Sequence, residues 1–137
     1  MKRTSINPTD WGLGFQMDQG EVTEGHGKIL HCSGQCAIAV DADAEMGITV
    51  VNPDDLRGQM KVSLANIDAV LEAAGMTRKN LISLRFFTTD IDGFLANYDV
   101  YAEWISEHGI RPPQSLYGIS RLVFPDLKVE IEAIAAQ

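Results

Sequence analysis

Long apolar stretches are what this chain most plainly lacks. No run approaches the roughly 18 apolar residues that a membrane-spanning helix needs, so no span is predicted. The opening Met1-Lys2-Arg3-Thr4-Ser5-Ile6-Asn7-Pro8 starts basic but has no apolar core behind it. A secretory signal is therefore not expected, and a cytoplasmic location is. Cations are also few: 11 Lys and Arg stand against 19 Asp and Glu, for a net charge of −8. They are scattered, Arg78-Lys79 being the tightest pair. A phosphate backbone would be repelled, so no nucleic-acid partner is expected. The two cysteines, Cys32 and Cys36, lie four residues apart in an extended stretch. That spacing separates their Cα atoms by about 13 Å, beyond the roughly 7 Å that a disulfide spans. His26 falls in a turn and His31 in a strand, and no acid or cysteine spacing gathers them into a metal site. The acidic loop Asp41-Ala42-Asp43-Ala44-Glu45 lacks the remaining ligands of a calcium loop and reads as solvated. Neither metal nor cofactor is expected.

What is present is the material of one domain: 137 residues, 45% hydrophobic and 22% charged. Residues 1–14 are polar, punctuated by Gly and Pro, and read as a lead-in segment. Phe15 to Glu24 can form a strand. Gly25-His26-Gly27 signals a turn, and Lys28 to Ser33 a second strand, so a hairpin is predicted across that turn. Leu56, Met60, Leu64, Ile67, Leu71 and Ala74 recur at helical spacing, predicting a helix over 54–74 that Gly75 stops. Leu81 to Thr88 is β-branched and aromatic, hence a strand. A second helix is predicted over 93–108, capped by Asp90 or Asp92 and ended by Gly109. Gln114 to Val123 and Lys128 to Ala135 complete the chain as two strands. The order is that of an α+β sandwich with one layer of helices. In strand 81–88 neither side is simply polar, because Phe87 accompanies Ser83 and Arg85 opposite Ile82, Leu84 and Phe86. Both faces of such a strand are expected to be buried, the second against other subunits.

Five segments, in order, carry a resemblance. They are Cys32-Ser33-Gly34-Gln35, Leu71-Glu72-Ala73-Ala74-Gly75, Phe87-Thr88-Thr89-Asp90, Arg111-Pro112-Pro113-Gln114-Ser115, and Val129-Glu130-Ile131-Glu132-Ala133-Ile134-Ala135. From about residue 15 onward the chain resembles the RidA/YjgF family, also described as L-PSP endoribonuclease-like. The resemblance implies a chorismate-mutase-like fold, a mixed β-sheet covered on one face by two helices. It also implies a homotrimer with its sheets facing inward and a small-molecule cleft at each subunit interface. The implied chemistry is hydrolysis of reactive enamines or imines to a keto compound and ammonia.

Residue by residue, the resemblance makes Glu130 the group that orients water or ammonia. Ser33 and Gly34 become the backbone wall of the pocket. Tyr98 stands where relatives often have an asparagine, and Leu116 where many have a cysteine. Phe15 takes roughly the place of a pocket tyrosine. Gln114 departs from the pattern, since relatives have an arginine there whose planar fork holds the substrate carboxylate. A deaminase-like hydrolase of altered specificity is the expected function. A metabolite-binding trimer without turnover is the alternative, and an endoribonuclease is disfavoured by the acidic charge. Arg85 is expected either to be paired in the trimer core or to lend the cleft a replacement cation.

Overall fold

The strand predicted over Leu81–Thr88 is the one on which the other elements are hung. The computed structural model covers residues 1–137. In chain order its strands and helices are β1 (Lys2–Ile6), β2 (Gly20–Glu24), β3 (Ile29–Gln35), β4 (Ile38–Val40), β5 (Ile48–Val50), α1 (Leu56–Ala73), β6 (Leu81–Thr88), α2 (Ile91–Ala96), α3 (Asp99–Ser106), β7 (Gln114–Gly118) and β8 (Val129–Ala136). The main sheet runs β3-β8-β6-β7, with β8 antiparallel to both neighbours and the edge strand β7 parallel to β6. Two small hairpins, β1-β2 and β4-β5, stand apart from it. No helix is long and apolar enough to cross a membrane.

One face of the sheet is buried under the helices. Leu84 and Phe86 of β6 and Val129, Ile131, Ala133 and Ala135 of β8 pack with Met60, Leu64, Ile67 and Leu71 of α1. Phe94, Tyr101 and Ile105 close the other flank of the same core. Each large side chain so buried contributes about 1.5–3 kcal/mol. Asp55 caps α1 by accepting from the Gly58 amide at 3.0 Å, and Gly75 ends it at φ +69°. Asp90 caps α2 in the same way, through Gly93 at 2.9 Å. The second predicted helix is split in two. At the split the ladder tightens to i→i−3 bonds, from Tyr98 N to the Leu95 carbonyl at 3.3 Å and from Val100 N to the Asn97 carbonyl at 3.1 Å, while the Asn97 side-chain amide joins its own backbone N–H on the Gly93 carbonyl. Three helices, not two, therefore cover the sheet.

The N-terminal region departs from expectation. Phe15 sits in a short 3-10 turn, Leu13–Phe15, so the strand predicted from it begins only at Gly20. The predicted hairpin across Gly25–Gly27 does not form: β2 pairs with β1, while β3 pairs with β8. The lead-in residues win that competition because they bring specific anchors. Arg3 makes a bidentate pair with Glu21, at 2.8 and 2.9 Å, and also donates to the carbonyls of Lys79 and Leu81 at the start of β6. Likewise β4 and β5 form a hairpin around the acidic loop, and the strand predicted over 114–123 stops at Gly118.

Asp18 fastens the segment between β1 and β2. Its side chain is 2% exposed and accepts from Ser5 Oγ at 2.5 Å, Asn7 Nδ2 at 2.7 Å and Arg111 Nε at 3.0 Å. Burial alone would raise its pKa, but these hydrogen bonds and the Arg111 charge outweigh it and hold the carboxyl below its usual range. A depressed carboxyl stabilises the fold above its unfolded pKa of about 3.9. That contribution fades as pH falls through the lower folded value. Asp18→Ala is expected to lose about 1.5–3 kcal/mol at neutral pH and to show a shallower loss of stability below about pH 4. Urea denaturation at stepped pH checks this; equal pH slopes for the two proteins would reject the role.

Candidate functional site

Two groups of the expected site residues form separate clusters, one on each side of the sheet. The first is built on the edge strand. Gln114 lies beside Leu84 and Leu116 beside Phe86, so both alternate toward the helix side. Gln114 Nε2 donates to the Phe15 carbonyl at 2.9 Å and to the Tyr98 hydroxyl at 2.5 Å. Tyr98 in turn donates to the same carbonyl at 2.6 Å. A carbonyl oxygen only accepts, which sets the orientation of the amide. Gln114 Oε1 is left buried without a partner, at a cost of about 1–3 kcal/mol. Burial pushes the Tyr98 phenol up to about 12, partly offset by the Gln114 hydrogen bond, so it remains a donor. Around this triad lies a 250 Å³ pocket whose walls include Trp11, Met17, Leu95 and Leu116 and contain no charged residue. Phe15 and Tyr98 meet edge to face, with centroids 5.7 Å apart.

The second cluster lies on the open face. In β8 the residues Val129, Ile131, Ala133 and Ala135 enter the core, so Glu130, Glu132 and Ile134 point away from the helices. Opposite Glu130 is Phe87, which stacks on Tyr117 with centroids 5.3 Å apart. The β3–β8 register shifts between Cys32 and Gln35, a bulge that carries Ser33 and Gly34. Gly34 lies directly against the carboxylate, since a Cβ there would stand 1.8 Å from Glu130 Oε1. Cys36 Sγ donates to Glu130 Oε2 at 3.2 Å. Burial first, then the hydrogen bond and charge of Glu130, push this thiol up to about 12. Arg85 is half exposed and lies 3.6 Å from Glu132. With His31 and Ser33 these two line a 220 Å³ depression, and Arg85 with Gln114 also borders one of 400 Å³. Both cysteines are free and buried.

The fold thus joins Gln114, Tyr98, Phe15 and Leu116, and joins Glu130 to Gly34 with Ser33 alongside, but β6 separates the two sets. Sequence reasoning missed Cys36 as a partner of Glu130, and Trp11 and Met17 as walls. Trp11 is the one aromatic residue of the otherwise polar lead-in; nothing local marks Cys36.

Comparison with known proteins places this geometry. The family model described as Endoribonuclease L-PSP matches residues 20–137. The chain belongs to the RidA/YjgF family. The 2-iminobutanoate/2-iminopropanoate deaminase of Escherichia coli K12 is 34% identical over 86 residues, 62% of this chain and 66% of that enzyme's length. A RutC family protein of Pyrococcus horikoshii is 35% identical over 109 residues, 80% of this chain and 79% of that one. Among solved structures, the Rid-family protein YyfB of Yersinia pestis superposes with a TM-score of 0.81 at 29% identity, covering 100% of both chains. The expected fold is therefore the observed one, with an additional helix break and two additional hairpins.

Gly34→Ala tests the packing of Glu130. A methyl group there must displace the carboxylate or the bulge, and overpacking of this kind costs about 1–3 kcal/mol. The variant is expected to unfold at a lower temperature than wild type; an unchanged melting temperature would show that Glu130 swings aside freely.

Proposed function

We propose that this Rid-family chain is a deaminase-type hydrolase of reactive enamines or imines, with Glu130 as the group that activates water. The observation that carries the reading is the Glu130 carboxylate lodged on the bare backbone of Gly34, one oxygen bonded to Cys36 and the other facing the glycine. An enamine first tautomerises to its imine. Glu130 then takes a proton from water as the oxygen adds to the imine carbon, and passes that proton to the nitrogen. The resulting carbinolamine gives its hydroxyl proton, through Glu130, to the nitrogen, and expels ammonia as the C–N bond breaks and the keto carbonyl forms. A carboxylate suits this shuttle because it returns to its starting state each cycle.

The substrate is one that does not depend on a small carboxylate. Gln114 is neutral, and its amide nitrogen is already bonded to Phe15 and Tyr98. Arg111 is paired with Asp18 and Arg85 lies beside Glu132. The uncharged, carbon-rich pocket favours an apolar substituent on the imine. Glu130 and Gln114 face opposite sides of one sheet, so a complete site would draw its two walls from adjacent subunits. A homotrimer with the open faces inward does this while covering Phe87, Tyr117 and Ile134. Tyr117, 45% exposed here, would then be interfacial. Tyr117→Asp is expected to lower the mass in sedimentation equilibrium from three chains toward one; a wild type sedimenting as a monomer would sink the shared-site reading.

Ammonia release from a panel of imines, generated in place by amino-acid oxidases, tests the reaction. Glu130→Ala is expected to lose at least a hundredfold in kcat/KM. Equal rates for wild type, variant and buffer would leave the non-catalytic binding reading in possession. Gln114→Arg is expected to raise kcat/KM for small α-imino acids about ten- to a hundredfold, the value of a charged hydrogen bond. A wild type that already handles such acids better than bulky neutral imines would refute the altered specificity.

A further inference from the structure

We infer that Cys36 is a positioning residue for the reaction, clamping one oxygen of Glu130 so that the other is presented to water. The inference rests on the hydrolase reading above. Its basis is the set of contacts around the carboxylate. Cys36 Sγ, 3.2 Å from Oε2, is the only side chain that hydrogen-bonds Glu130. Gly34 lies against the other side, its α-carbon hydrogen facing Oε1 where any other residue would place a β-carbon. Oε1 has no hydrogen-bond partner, while Oε2 is engaged by the thiol.

The clamp is itself held. Cys36 is 6% exposed, packed with Ala37, Leu122 and Leu127, so the thiol has no route to solvent as an alternative partner. Asn66 of α1 donates to the Cys36 carbonyl at 2.9 Å, which ties the backbone here to the helix layer. Because the thiol stays protonated through neutral pH, it serves as a donor and not as a nucleophile. A thiol donor is weak, and that suits the task. It orients the carboxylate and leaves its charge available, where an arginine partner would neutralise much of it.

The test separates hydrogen bonding from packing. Cys36→Val stays apolar, adds one heavy atom and removes the donor; Cys36→Ser keeps a donor. With the best imine from the panel, Cys36→Val is expected to lower kcat about three- to tenfold with KM nearly unchanged, and Cys36→Ser to recover most of the loss. In infrared spectra of the wild type, the S–H band that vanishes in Cys36→Val is expected at lower frequency than that of a free thiol, and to rise in Glu130→Ala. If Cys36→Val does not fold, as judged by circular dichroism, Cys36→Ala takes its place. A donor-free variant with wild-type kcat, or a band that ignores Glu130→Ala, overturns the positioning role and leaves the hydrolase reading standing. A wild type inert toward every imine overturns the hydrolase reading, and the reaction role of Cys36 with it.

Discussion

The register of β8 between β3 and β6 is the constraint on which the rest depends. Side chains alternate with period two, so a slip of one residue would drive Glu130 and Glu132 into the helix-facing core and turn Val129 and Ile131 out. Several bonds at the ends of the strand oppose that slip. Gln59, fully buried in α1, donates to the carbonyls of Asn52 and Asp126 and accepts from the Lys128 amide at 2.7 Å. Thr88 donates to the Lys128 carbonyl at 2.7 Å, just before β8 begins. At the far end Asn80 donates to the Ala136 carbonyl at 3.0 Å. Buried polar groups that are satisfied only in one alignment specify that alignment more sharply than apolar contacts, which tolerate sliding.

With that register in place, the chemistry divides by faces. The helix side of the edge strand offers an apolar pocket floored by an amide bonded to its own chain. The open side offers a carboxylate pressed on a glycine and held by a thiol. Glutamine at position 114 does more than lack a charge. An arginine has five donors and no acceptor, whereas Gln114 uses its nitrogen on Phe15 and Tyr98 and leaves an oxygen unpaired. The lead-in segment is thereby tied to the edge strand at Gln114. Asp18, Arg3 and their partners fasten the two ends of that segment, so its closeness to Gln114 is part of the folded structure.

Much of the fold was legible because its signals are local. Leu81–Thr88 and the helix through Leu71 follow from periodicity, and Asp90, Gly75 and Gly109 mark boundaries where capping and left-handed backbone require them. The hairpin across Gly25–Gly27 was misread because proximity in sequence is only a prior. The partner of β2 is set by Arg3 reaching Glu21 and two carbonyls 76 and 78 residues away. Nor is the break at Asn97 visible in the hydrophobic pattern, since a local switch to i→i−3 backbone bonds makes it.

The same division governs the site. Residue types and motifs by themselves pointed to the family and put a carboxylate at 130 and a neutral amide at 114, because these are properties of single positions or short spacings. Only the tertiary structure decided that Cys36 meets Glu130, 94 residues away, and that Phe15 meets Gln114 across 99. It also decided that the two clusters fall on opposite faces. Such contacts arise from strand pairing and bulges, which bring distant residues together through long-range packing that no local pattern encodes.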